Sequence, residues 1–218
     1  MPVKKITYAV IAILAGELFA VPPAPAQGTL SVSNLGQTPV GKAAIGNNSW
    51  IAQEFFTGTN SGGYTLNSIQ LLMDASSGSP SGFAVSIYSG LFTGPPESSL
   101  GNLVGSLNPT AGGLFSYTNS GITLSPGSSY FVVVTAATPV AQGAYFWSAG
   151  PMGDTFGDDR WTIGHLYFTS TDGLNWSHFR DQYFQMAIYS TALPEPSASW
   201  LLLLGSGVLA YTRIRKPI

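Results

Sequence analysis

The sequence predicts an all-β protein, a single jelly-roll-like β-sandwich domain flanked by an N-terminal signal peptide and a short C-terminal transmembrane helix. Three observations carry this. Between Gly28 and Ser190, β-branched and aromatic runs are separated by Gly, Ser, Asn and Pro at fairly regular intervals. Alternate positions in several runs are apolar: Ile69, Leu71 and Met73; Phe83, Val85 and Ile87; Phe184, Met186 and Ile188. Side chains alternate across a strand, so each set can fill one face of a shared core. No stretch of this region repeats with the 3.6-residue period of a helix.

Taken in order, the N-terminus opens with Lys4 and Lys5, continues through a mostly apolar run from Ile6 to Ala20 interrupted by Glu17, and reaches Ala24-Pro25-Ala26. A positive segment, an apolar segment and small residues at the cut are the parts of a secretory signal peptide. Residues 1–26 are assigned to it. The run is short for a membrane span and carries a charge, which argues against a permanent anchor.

Residues 27–192 form the β domain. Its expected strands are Trp50 to Phe56, Tyr64 to Met73, Phe83 to Ser89, Leu103 to Leu107, Leu114 to Thr118, Tyr130 to Ala136, Tyr145 to Ala149, His165 to Thr169, Asn175 to Phe179 and Tyr183 to Tyr189. Two turns are specific. In "LSPGSSYFVVV" a Pro126-Gly127 turn delivers Tyr130 to the start of a buried strand, where its hydroxyl can bond back to the turn backbone. In "YFTSTDGLNWSHF" Asp172-Gly173 supplies the positive φ of a hairpin turn.

Charge excludes several functions. Between Gln27 and Ala192 only Lys42, Arg160 and Arg180 are basic, against eight acidic residues, a net −5. No basic patch exists to neutralise phosphates, so nucleic acid is not an expected partner. The chain has no cysteine, which removes disulfides, thiol catalysis and Cys-ligated zinc. The sequence lacks a Gly-x-Ser-x-Gly elbow, a Ser-x-x-Lys pair and a phosphate-binding glycine loop, and its two imidazoles are His165 and His178. We therefore expect no enzyme, no catalytic residue and no cofactor.

Two binding sites remain open. "GDTFGDDRW" gathers Asp154, Asp158 and Asp159 in a glycine-containing loop, and clustered carboxylates of this kind can hold calcium. The plainer reading is a solvated acidic turn with Arg160 as its partner. Trp161 and Trp176 are candidate sugar-stacking residues, with core packing as the alternative.

Residues 193–218 differ in kind. Pro194-Glu195-Pro196 breaks the chain from the domain, Ala198 to Tyr211 is free of charge, and Arg213, Arg215 and Lys216 follow. Fourteen helical residues at about 1.5 Å each span about 21 Å, short of a ~30 Å hydrocarbon core, with Trp200 and Tyr211 at the interfaces. A basic flank stays cytoplasmic and acts as the stop-transfer signal, which leaves the domain outside.

This tail, "LPEPSASWLLLLGSGVLAYTRIRKP", resembles a PEP-CTERM sorting signal. The resemblance implies signal peptidase and exosortase as processing enzymes, with cutting near Pro194 to Pro196 in a Gram-negative bacterium that makes exopolysaccharide. A sortase signal would need Thr-Gly where Pro196-Ser197 stands. The middle is similar to choice-of-anchor R domains through "AQEFFTGTNSGGYTLNSIQLLM", "VSIYSG" and "LSPGSSYFVVV". That likeness implies a surface-displayed β domain and transfers no functional residue. The expected function is an exported, exosortase-processed surface or extracellular-matrix protein, anchored in the inner membrane as a precursor, with a structural or adhesive role linked to exopolysaccharide and biofilm. The alternative is a carbohydrate-binding module, in a calcium-dependent form if the aspartates are ligands.

Overall fold

The computed structural model describes residues 28–119, 121–151, 156–157, 160–180 and 182–195. These residues form fifteen strands and no helix. In chain order the strands are β1 Thr29–Ser33, β2 Gly41–Ile45, β3 Trp50–Phe56, β4 Tyr64–Gly78, β5 Ala84–Gly90, β6 Pro96–Asn102, β7 Gly113–Thr118, β8 Thr123–Leu124, β9 Ser129–Thr135, β10 Gly143–Gly150, β11 Phe156–Gly157, β12 Thr162–Ser170, β13 Trp176–Phe179, β14 Tyr183–Phe184 and β15 Met186–Ala192.

Every strand pair is antiparallel, and the strands make two sheets packed as a β-sandwich. The nine-stranded sheet runs β11-β1-β15-β4-β10-β14, with β2 on β10 and both β7 and β8 on β4. Along one edge of β4, β15 pairs with Tyr64 to Leu71 and β10 takes over from Met73; along the other lie β8 and β7. The six-stranded sheet runs β13-β12-β3-β9-β5-β6.

The alternating triplets named from the sequence all lie in the core between the sheets, and each residue is essentially inaccessible. Trp147 and Phe184 meet there at 4.9 Å between ring centroids. Tyr130 behaves as its turn predicts: Gly127 has φ +57°, and the Tyr130 hydroxyl accepts a hydrogen bond from Ser125 N at 2.8 Å. Strand β9 is buried on both faces from Ser129 to Val134, because a second apolar cluster of Ala52, Phe131, Val133, Leu166 and Phe168 lies on the outer face of the six-stranded sheet.

Two strand assignments are corrected. Leu103 to Leu107 is not a strand: Val104 makes one isolated bridge to Thr118, and Val104 and Leu107 are exposed. Tyr183 to Tyr189 divides at Gln185, whose N–H donates to Ser148 O while its carbonyl accepts from Leu72 N and Trp147 Nε1. This one buried peptide hands the chain from its pairing with β10 to its pairing with β1 and β4.

Candidate functional site

The outer face of the six-stranded sheet carries the chemistry. Strand β3 reads Trp50-Ile51-Ala52-Gln53-Glu54-Phe55-Phe56, and its register sends Ile51, Gln53 and Phe55 inward and Trp50, Ala52, Glu54 and Phe56 outward. Glu54 is nevertheless only 2% exposed. Its Oε1 accepts from Ser129 Oγ at 2.8 Å, and the Thr93 N–H also donates to the carboxylate. Burial pushes the Glu54 pKa up, and these two donors and the nearby His165 only partly offset that.

The Glu54 carboxyl has no room for error. A Cβ on Gly164 would stand 2.5 Å from Glu54 Oε2, so only glycine fits across from it. Thr93 holds φ +62°, a left-handed conformation that costs a β-branched residue about 1–3 kcal/mol. A pocket of about 160 Å³ opens here, lined by Glu54, Phe56, Phe92, His165, Leu166 and Arg180. Phe92 packs on Phe56 at 5.4 Å between centroids while remaining 74% exposed.

Strand β12 bulges between Ile163 and Tyr167, and the bulge shapes this pocket. Gln53, fully buried on the opposite side of β3, gathers the displaced carbonyls: its Nε2 donates to Gly164 O at 3.0 Å and Leu166 O at 3.1 Å. Its Oε1 accepts from Phe184 N at 3.0 Å, which ties the six-stranded sheet to the nine-stranded one. His165 then lies exposed at the pocket, its Nδ1 hydrogen-bonded to the Tyr183 hydroxyl. Chemically the pocket can bind a ligand through one desolvated carboxyl and aromatic walls. None of its lining residues is a Ser or Cys nucleophile, and Glu54 is its one carboxylate.

The sequence-derived site residues are scattered. Trp161 is in the core, 3% exposed, stacked on Phe55 at 6.1 Å and edge-on to Tyr64 at 4.9 Å, so its ring is not offered as a sugar platform. Trp176 is half-buried on the outer face, and its companion there is Trp50. Asp154, Asp158 and Asp159 lie outside the described residues, as do Pro196, Arg213, Arg215 and Lys216. Among the described residues, no group of three His, Asp or Glu side chains is placed to hold a metal. Pro194 and Glu195 are exposed.

Sequence reasoning missed Glu54 and Gln53. The signal was present as two adjacent polar residues inside the apolar run "WIAQEFF", where a strand buried on both faces leaves neither in water. No family model, curated protein or solved structure matches the chain.

Proposed function

We propose that the chain is an exported, exosortase-processed protein of the cell surface or extracellular matrix, with a structural or adhesive and non-enzymatic role beside exopolysaccharide. In this reading the sandwich is jelly-roll-like and carries a signal peptide before it and a membrane helix behind it. Signal peptidase and exosortase are its processing partners, and the inner membrane is a station on its route.

The observation that supports the reading is where the domain lets go of the chain. The Leu193 N–H bonds to Gly63 O at 2.9 Å and Asn60 Nδ2 bonds to Leu193 O at 2.9 Å, after which Pro194 and Glu195 are exposed. Strand β15, the last of the described strands, is already paired on both sides by β1 and β4. A cut in Pro194-Glu195-Pro196 therefore removes none of the described strands and none of the described core residues. At the other end the first described strand, β1, begins at Thr29, so a cut after Ala26 likewise leaves every described strand whole.

The test replaces Pro194, Glu195 and Pro196 with alanine in cells that make the protein. The reading expects the natural chain at the surface or in the medium and the variant held in the inner membrane. The same distribution for both would overturn it. The second reading, a carbohydrate-binding module, is favoured by the half-exposed Trp176.

A further inference from the structure

We infer that Trp50 and Trp176 form a stacking platform for an uncharged glycan on the outer face of the six-stranded sheet. This deepens the adhesive role proposed above and rests on it only for its biological setting. The two tryptophans belong to one row. Ser170 of β12 pairs with Trp176 on one side and with Trp50 on the other, so all three side chains point the same way. Two strand spacings, about 9.6 Å, separate the backbones from which the two indoles project, a distance that a disaccharide spans.

Both rings are fixed rather than loose. Trp50 Nε1 donates to Asn47 O at 3.0 Å, and the hairpin backbone comes so close that a Cβ on Gly173 would sit 3.0 Å from the ring. Gly173 has φ +73°, and Asp172 pins the loop by accepting from Leu174 N and Asn175 N, both at 2.8 Å. Trp176 and Trp50 pack on the apolar cluster that contains Phe168, which holds each ring in place while leaving part of it open. A preordered aromatic surface loses little freedom on binding.

The surroundings select the ligand. Along the same face run Thr135, Ser86 and Asn102, the last two hydrogen-bonded to each other at 2.7 Å. None of these side chains carries a charge, and all offer hydroxyl or amide groups. Such a ring-and-hydroxyl surface suits the apolar faces and hydroxyl rims of neutral sugars. The charge beside the rings is the Asp172 carboxylate, whose oxygens are engaged within the turn by Ser170, Leu174 and Asn175, with His178 two residues along β13 on the same face, and the exposed Leu174 of the hairpin adds apolar surface next to the rings.

The experiment titrates the full chain, purified in mild detergent, with cellohexaose, mannohexaose and maltohexaose, following tryptophan fluorescence and heat. At least one should bind saturably, with little change in high salt or in EDTA. Trp50→Ala and Trp176→Ala should each weaken it by roughly tenfold, the loss of one stacking contact. If Trp50→Ala does not fold, Trp50→Phe and Trp176→Ala on the edge strand decide. Failure of all three sugars, binding that survives both substitutions, or binding abolished by salt would overturn the platform. Because the assay is made on purified protein, display at the surface without binding would overturn the platform alone. Binding without display would overturn only the setting.

Discussion

Replacing Gln53 with Met should be among the most damaging single changes in the domain, although the two side chains have nearly the same shape. The change removes the donors to Gly164 O and Leu166 O and the acceptor of Phe184 N, all at buried residues of two different sheets. An unsatisfied buried backbone group costs about 1–3 kcal/mol, so three of them, after some relaxation, sum to roughly 3–5 kcal/mol. A domain's whole stability is about 5–15 kcal/mol. Equilibrium unfolding in urea, followed by tryptophan fluorescence, measures the difference. Gln70→Met, on a more exposed stretch of β4, is the control and should stay within about 0.5 kcal/mol. Amide exchange at Leu166 should quicken in the Gln53 variant as the bulge loosens. A loss below about 1 kcal/mol would refute the claim that Gln53 holds the β12 bulge and joins the sheets.

Three further outcomes follow from the same structure. Tyr130→Phe keeps the ring but leaves Ser125 N unpaired, and should cost about 1 kcal/mol in the same unfolding assay. Glu54→Gln should change how stability depends on pH. The folded carboxyl has a raised pKa, so the native state holds its proton more tightly than the unfolded one, and stability falls as pH rises from the ordinary carboxyl range through the folded value. The variant should therefore gain on the natural protein at neutral pH relative to acid, and parallel profiles would contradict the burial argument. Asp172 has the opposite sign. Bonds from Asn175 N, Leu174 N, the Asn175 amide and Ser170 Oγ hold its pKa well below the carboxylate range, so its contribution is present above that range and lost as pH falls through the folded value. Asp172→Ala should speed amide exchange at Leu174 and Asn175, measured by NMR, and leave the core amides of β9 unchanged.

Much of the fold was legible because burial on one face writes itself into the sequence. Ile69, Leu71 and Met73 alternate with partly exposed residues, and Trp50 to Phe56 was delimited residue for residue. Edge strands escaped for the converse reason. Strand β6, "PESSLGN", is exposed at most positions and pairs on one side only, so it carries no apolar period to read. Strand β2, paired only with β10, is short and weakly apolar for the same reason, whereas β1 is paired on both sides but is short, with Val32 its one buried apolar residue. The division at Gln185 depends on which neighbours its peptide meets, and no local pattern encodes that. The site was less legible. Trp161 and Trp176 are equally aromatic in sequence, and only the register separates the core ring from the surface ring. The partnership of Trp50 with Trp176 joins residues far apart in the chain through Ser170, which no spacing announces.

The central claim, that the β domain is released from a processed sorting tail, is tested most directly by the intact mass of the protein recovered from native cells and from the medium. The account predicts a C-terminus close to Pro194 to Pro196 and an N-terminus near Gln27. A mass that still includes Tyr211 to Ile218 would contradict it and leave a permanently anchored membrane protein.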